Sequence, residues 1–519
     1  MKKAGAELFE LIHSLGKAEK RYFRMFSSSM QGGNKSYLKL YDAMEKQGAY
    51  NEVAIRSACR GHDFLKHLSV TNSRLYNTIL RTLENYHRGA DINLHNQLRK
   101  AEILLGKGLT AHALKLLKTA KAIAYEQEQW ELLMKLLIME RIPYAATNLP
   151  KMLHLNEEME VVLKKLNNIN DYRKIHHRMI QMGHEVGPMR TSKELLLIKQ
   201  LMRHPLVRDS NQASCAESKA YYYEIWSLYY RFKRDPAKGY AISKEQCDFI
   251  ETHLHRLRDP EKRYLFALNI SVIFMGYLLS VNRGLYGEMQ KALQKIRSYP
   301  IASPAVKATF WGNSYVNELN AFMRIGDFAK IFPALKEIEE NKDLLNQVPA
   351  VNKINLHYNI AYLLFGAGSY NEALHWVRKI IDQPINILRQ DTQAFARILN
   401  LLLHYELHKD EELLDSLKRS TLHFLSTRHR LFKVEEALMH CLHQVTGKTI
   451  SGKKHRDAFR ELKISLLKLM KDQMEKAALE DFDFLSWVES KIENKTFAEV
   501  VRQKAERTDS QGEEKAKHQ

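Results

Sequence analysis

His404 and His408 stand one helical turn apart in the segment HYELH, the spacing at which two imidazoles can share a zinc ion on one helix face. Zinc-dependent hydrolysis also needs a glutamate directly after the first histidine to serve as general base, and Tyr405 occupies that place. The pair therefore reads as two surface histidines. The same reading covers His176 with His177, His253 with His255, and His440 with His443, none of which has a third ligand at metal-binding spacing. Gly447-Lys448-Thr449 would suit the end of a phosphate-cradling loop, but that loop needs a glycine where Leu442 stands and a strand, not a helix, before it. Cys59, Cys215, Cys247 and Cys441 are far apart and form no CxxC pair, so they signal neither a zinc site nor a disulfide framework and fit a reducing, cytoplasmic compartment. No nucleophile elbow, dinucleotide loop or paired-carboxylate arrangement is present in the sequence. The expectation is a non-enzymatic protein with no metal and no cofactor.

A different chemistry is suggested by polar residues in the middle of the chain. Asn313, Asn317, Asn320 and Arg324 are spaced so that all four fall on one face of a helix. One step of 42 residues further on stand Asn355, Asn359 and Tyr362, and a second step reaches Arg397, Asn400 and His404. Amide and guanidinium groups recurring on one face can pair with the backbone and carboxylates of an extended polypeptide. Asparagine is a mediocre helix former, so its recurrence needs a reason, a merely solvated face being the competing one. In the preceding unit the matching positions are Ser271, Met275, Leu278 and Asn282, which would set an apolar floor beside the polar row.

The elements that must carry these residues are helices. In 519 residues there are only 22 glycines and 11 prolines, and every proline lies between Pro143 and Pro384. Hydrophobic residues make up 45% and charged residues 27%, the composition of a folded chain and not a disordered one. No alternating β-branched run bounded by hairpin-turn residues occurs, whereas sets such as Leu75, Ile79, Leu83 and Tyr86 recur at helical spacing. The segment Tyr264 to Asn282 is uncharged and long enough to span a bilayer, but it contains Asn269, Ser271, Ser280 and Asn282 and has no second stretch like it. It reads as the buried helix of a large helical protein, and no membrane partner is expected.

The helices repeat. In INLHYNIAYLLFGAGSYNEALHWVRKIIDQP a helix ends at Phe365, Gly366 and Gly368 permit a turn, Tyr370 follows, and a second helix opens with Ala373. Gly326, Phe328 and Ile331 take the same places 42 residues earlier, and Gly284, Tyr286 and Met289 another 42 before that. This unit resembles the tetratricopeptide repeat, with Ala361 as the small residue of the first helix, Gly368 and Tyr370 at the turn, Ala373 where the helices touch, and Pro384 beyond. It departs from the family in having His357 and Tyr315 in place of an early tryptophan, Ile331 in place of the contact alanine, and a period near 42. The resemblance implies an all-α, right-handed α-solenoid of antiparallel helix pairs over residues 91–502. It further implies a scaffold whose first helices line a concave groove for a protein or peptide, with Asn313, Asn317, Asn320, Arg324, Asn355, Asn359, Tyr362, Arg397, Asn400 and His404 as groove candidates.

Residues 1–90 form a separate helical module and 503–519 a polar, disordered tail in this reading. The first 100 residues hold 17 basic and 9 acidic side chains, a large share of the net charge of +20, which would attract acidic partners. Within them, Phe64 to Tyr86 resembles a bacterial helix-turn-helix. Phe64 and Leu68 would lie on a first helix and Val70 in the turn, with Thr71, Asn72, Ser73 and Arg74 opening a second helix toward a DNA groove. Leu65 and Ser69 depart from that pattern, and Ser69 or Thr71 could simply cap the next helix. The alternative function is therefore a transcription regulator with an N-terminal DNA-binding module and a repeat sensor. Nothing in the sequence sets the oligomeric state. YYYEIWSLYYRF, with Tyr222, Trp226, Tyr229 and Tyr230 at helical spacing, reads as core packing.

Overall fold

The computed structural model describes residues 4–504 apart from 30–34, 87–89, 146, 186–191, 280, 302, 383–388, 408–410, 446–451, 473–474, 476–478 and 480–481. Residues 505–519, most of the expected tail, lie outside the described residues, as do His408, Pro384 and Gly447 to Thr449. All regular structure among the described residues is helical, so the chain is all-α.

Two compact units divide at Leu163 and Lys164, not at residue 90. The first contains α1 (Ala4–Ser14), α2 (Lys17–Ser29), α3 (Lys35–Glu45), α4 (Glu52–Ala58), α5 (Leu68–Tyr86), α6 (Ala90–Gly106), α7 (Thr110–Glu126) and α8 (Trp130–Arg141). Helix α9 (Leu149–Glu185) contains the division. The second unit continues with α10 (Ser192–Met202), α11 (Pro205–Arg208), α12 (Ala216–Lys233), α13 (Pro236–Thr252), α14 (Pro260–Leu278), α15 (Leu285–Ser298), α16 (Pro304–Ile325) and α17 (Ile331–Glu340). It is completed by α18 (Lys342–Gln347), α19 (Ala350–Gly366), α20 (Tyr370–Ile381), α21 (Gln390–Glu406), α22 (Glu411–Thr427), α23 (Lys433–Val445), α24 (Gly452–Leu469) and α25 (Phe484–Glu493).

In the first unit α1, α2, α3 and α5 enclose a core of Leu8, Ile12, Phe23, Leu40, Tyr41, Met44, Leu75 and Ile79. In the second, the prolines start helices. Pro236 and Pro304 occupy the first turns of α13 and α16, where a missing N–H breaks no bond, and Asp235 and Ser303 cap those ends by accepting from the amides of Lys238 and Val306. Helix ends use glycine where the backbone turns left-handed: Gly326 after α16 has φ +73° and Gly368 after α19 has φ +80°. Gly366, expected in the turn, is instead the last residue of α19, and α20 begins at Tyr370 and not at Ala373. Ala361 and Ala373 are both fully buried in the core shared by α19 and α20.

Helix α14 packs on α13, α15 and α16; α16 packs on α14 and α19; α19 packs on α16, α20 and α21. The short helix α18 lies between α17 and α19 in the chain and packs on α16 and α17. Within α14, Leu265, Ala267, Ile270, Val272, Phe274 and Met275 are all buried, on every side of the helix. That accounts for its apolar sequence, and no helix among the described residues is long and apolar enough to cross a membrane. Phe482 and Phe497 close over Tyr362 and Phe365 at the C-terminal end of α19, with ring centroids 4.7 Å apart for Tyr362 and Phe482 and 5.5 Å for Phe365 and Phe497.

His357 is buried in α19 against Trp376, ring centroids 5.2 Å apart, and burial, with smaller contributions from Lys379 and Lys353, pushes its pKa down to about 4. A histidine depressed in the folded state contributes its full stability above its unfolded value near 6.5 and loses it as pH falls. Stability should therefore drop by roughly 3 kcal/mol between pH 6.5 and 4 on account of this residue. Urea melts across that range should show a shallower pH slope, by about one proton, in His357→Gln.

Candidate functional site

The recurring asparagines lie at the contacts of α16 with α14 and α19 and of α19 with α21. Asn317 is 6% exposed and its amide donates to Oδ1 of Asn269 at 2.9 Å, tying α16 to α14. Asn359, 5% exposed, donates from Nδ2 to the carbonyl of Val316 at 3.0 Å and to Oδ1 of Asn320 at 3.1 Å, tying α19 to α16. Asn313 accepts from Asn352 across the same seam, and Asn355 accepts from the Thr392 hydroxyl at 3.2 Å between α19 and α21. The paired asparagines are 39 or 48 residues apart, so none of these pairs joins residues at the 42-residue step. The expectation that Asn317 and Asn359 stand outside the packed interior is corrected: their side chains are engaged in inter-helix bonds that a bound peptide would have to break. His404, also 8% exposed, is not a surface histidine. Tyr362 is buried as well, its hydroxyl accepting from the backbone amide of Asp483 at 3.2 Å. Asn400 is half-buried in α21.

Asn359→Leu should consequently destabilise the fold by about 1–3 kcal/mol, because the Val316 carbonyl and the Asn320 amide lose a buried partner. A lowered denaturation midpoint with unchanged slope would register this; an unchanged midpoint would mean the seam contributes nothing.

Arg324 and Arg397 fare differently from the asparagines. Arg324, half-buried at the end of α16, lies over the ring of Tyr277 at 4.1 Å, and its charge acts on the hydroxyl of Tyr362. Arg397, half-buried in α21, lies over Phe424 at 3.8 Å and donates to the carbonyl of Gln393 at 3.1 Å. Its pKa is lowered by burial and then by Arg428, which follows α22. Arg389, at the start of α21, grips Asp391 with two bonds of 2.9 and 2.6 Å, and this pairing, with help from Arg430, holds the Asp391 carboxyl below the usual range against its burial.

Arg231, at the end of α12, is reached by solvent, yet the surrounding protein and the charge of Arg389 lower its pKa, while Tyr277 and Asp391 oppose the effect. These influences link Arg231 of α12 with Tyr277 of α14 and with Arg389 and Asp391 at the start of α21; Arg324 of α16 lies on the same tyrosine. Among the described residues no carboxylate forms an ion pair with Arg231, Arg397 or Arg428. Of these arginines only Arg324 and Arg397 were legible as candidates. Arg231 and Arg428 sit outside the 42-residue register, on the end of a helix and in a turn, so periodicity carried no signal for them.

Trp226 donates from Nε1 to the carbonyl of Val207 at 3.1 Å and meets Tyr229 and Tyr230 at centroid distances of 5.4 and 5.5 Å, so the aromatic segment is a half-buried packing surface of α12. His176 is not a surface residue: its Nε2 lies 3.1 Å from Glu224, and burial pushes its pKa down to about 3. Burial likewise pushes the Cys247 and Cys441 thiols up to about 12, which leaves them poor nucleophiles. No group of three histidine, cysteine or carboxylate residues that could hold a metal occurs among the described residues.

The helix-turn-helix expectation is also corrected. Asp63–His67 is a single 3-10 turn that runs directly into α5, which already begins at Leu68, so no turn forms at Val70. Thr71 and Asn72 are 7% and 4% exposed and face the interior; only Ser73 and Arg74 of the four DNA candidates are exposed. Neither Ser69 nor Thr71 caps the helix: Thr71 bonds back to the carbonyl of His67 at 3.2 Å within it.

Comparison of the chain with protein-family models, curated proteins and solved structures finds no match.

Proposed function

We propose that the second unit is a right-handed helical-repeat scaffold of tetratricopeptide type, working in the cytoplasm by binding a protein partner without catalysing a reaction. The packing of α14, α16, α19 and α21 one upon the next supports the repeat reading, since such a stack presents one continuous surface. The observation that carries the binding reading is the set Arg231, Arg397 and Arg428, none of which forms an ion pair with a carboxylate among the described residues, with Arg397 held over Phe424. Arginine stacked on an aromatic ring is prepaid in conformational entropy and keeps donors free for a carboxylate or phosphate, which is why such residues dominate binding hot spots. The partner surface would be acidic and extended, and the asparagine seams would keep the helices in register beneath it.

The test is affinity capture from the native cell extract with the full chain. A partner retained by the wild type and by the exposed-face control Lys307→Ser, and lost from Arg397→Ser with Arg428→Ser at unchanged melting temperature, is the expected result. Equal capture by both variants would remove this surface from the function.

A further inference from the structure

Helix α24 buries one side and leaves the other bare. Ala458, Phe459, Leu462 and Leu466 lie in the core, where α24 packs on α23 and α25. The opposite side carries Lys453, Arg456, Arg460, Ile464 and Leu467, whose spacing of 3, 4, 4 and 3 residues sets them in one row. Ile464 is 68% exposed, Leu467 45% and Met470, in the turn that follows, 40%, so three neighbouring aliphatic side chains meet water. Residues 453–472 hold seven basic side chains and three acidic ones. Among the described residues Lys453, Arg456, Lys468 and Lys471 form no ion pair, while Arg460 is taken by Asp457 at 3.0 Å and Lys463 by Glu489 at 2.7 Å. Lys468 and Lys471 stand within about one turn of Leu467, so uncompensated positive charge adjoins the exposed aliphatics.

We propose that this side of α24 docks on an anionic lipid surface, with Ile464, Leu467 and Met470 entering the headgroup boundary and Lys453, Arg456, Lys468 and Lys471 resting among the lipid charges. The contact is peripheral, calls for no spanning helix, and is independent of the arginines on which the scaffold reading stands. Charge complementarity sets the sign of the partner and excludes a second copy of the same face, since cations would meet cations. Composition selects lipid over protein. Protein interfaces are built around tryptophan, tyrosine and arginine and are poor in lysine, whereas this side exposes lysines and aliphatics and no Trp, Tyr or Phe. A lysine ammonium is drawn to diffuse negative charge without needing a directed, bidentate partner, and its stem lies along apolar surface while its head stays wet. Nucleic acid would use the same cations but gain nothing from three aliphatic side chains. Insertion and electrostatic attraction are each weak alone, and together they hold a protein reversibly on a bilayer.

The probe is sedimentation of the full chain with vesicles of phosphatidylcholine alone or of phosphatidylcholine with about one-third phosphatidylserine, at near-physiological salt. The expected result is binding to the serine-containing vesicles and not to the neutral ones, weakening as salt is raised. Lys468→Gln with Lys471→Gln, and separately Ile464→Ser with Leu467→Ser, should each weaken that binding at least about tenfold. All four positions are exposed, so the melting temperature should not change. Millimolar glycerophosphoserine, the soluble headgroup, should not compete, because it offers no apolar boundary to enter. Weakening by the lysine pair alone, or competition by the free headgroup, would overturn the insertion of the aliphatics. Failure to bind, equal binding to both kinds of vesicle, or binding that both double variants retain would overturn the proposal as a whole. An extract protein lost from the double variants while vesicle binding stays unchanged would overturn it in favour of a protein partner. The Arg397 and Arg428 variants decide the scaffold reading separately.

Discussion

Arg263→Met is expected to cost about 3–5 kcal/mol, the largest effect of any single substitution proposed for this chain. Glu217, Tyr221 and Glu224 occupy one face of α12, and Arg263 of α14 lies against all three. It bridges the two carboxylates, with Glu224 at 2.5 Å, and stacks on Tyr221 at 4.3 Å. The three charged groups are 7%, 4% and 9% exposed in the order Glu217, Glu224, Arg263. Methionine fills similar volume but leaves two buried carboxylates with no cation between them, and burial already pushes the Glu224 carboxyl upward. His176, at 3.1 Å from Glu224, is itself held neutral by burial and offers little compensation. The measurement is a denaturant melt at pH 7 of three proteins: wild type, Arg263→Met, and Arg263→Met combined with Glu217→Leu and Glu224→Leu. The triple variant should recover most of the loss, because removing both partners restores an uncharged interior. A single variant within 1 kcal/mol of wild type would show the cluster to be wetter than its burial implies.

Gly366→Ala should be nearly as severe, at or above the roughly 1–3 kcal/mol usual for overpacking. A Cβ built on Gly366 overlaps the ring of Phe328, which is 3% exposed and wedged between Tyr362 and Phe497 at centroid distances of 6.5 and 5.4 Å. A ring so enclosed has nowhere to move. Two comparisons make the result specific. Gly287→Ala in α15, where an added Cβ meets nothing within 4 Å, should be neutral or stabilising by up to about 1 kcal/mol. Phe328→Leu should rescue part of the Gly366→Ala loss, so that the two changes combine with less than additive cost. Thermal melts of the wild type and the four variants check both statements, and strict additivity would mean that the ring is not what the new methyl group strikes.

Gly366 also marks where local reading reached its limit. A glycine two residues before another glycine, next to a turn, suggested backbone freedom, and for Gly368 and Gly326 that physics holds, since both adopt positive φ. For Gly366 the requirement is space for a ring 38 positions earlier in the chain, which no local pattern contains. The asparagines teach the same point. Their 42-residue recurrence was visible, but period alone cannot distinguish a face turned to a ligand from a face turned to the next helix. The side-chain bonds of Asn269 with Asn317 and of Asn320 with Asn359 decide it for the seam.

What the sequence determined by itself was the helical class, the buried character of the segment around Leu265 to Met275, and the paired helices at Gly326 and Gly368, because these follow from spacing, apolar periodicity and glycine conformation within a few residues. Only the tertiary structure decided which polar residues are spent inside and which stay available. Thr71, Asn72, His176 and His404 look like surface residues in sequence, yet a helix neighbour covers each of them. Arg231 and Arg428 carry no motif, yet the fold brings them to Arg389 and Arg397 from positions more than 150 and about 30 residues away. Charge clustering at that range depends on how helices pack, and packing is summed over the whole chain, not written in any one stretch of it.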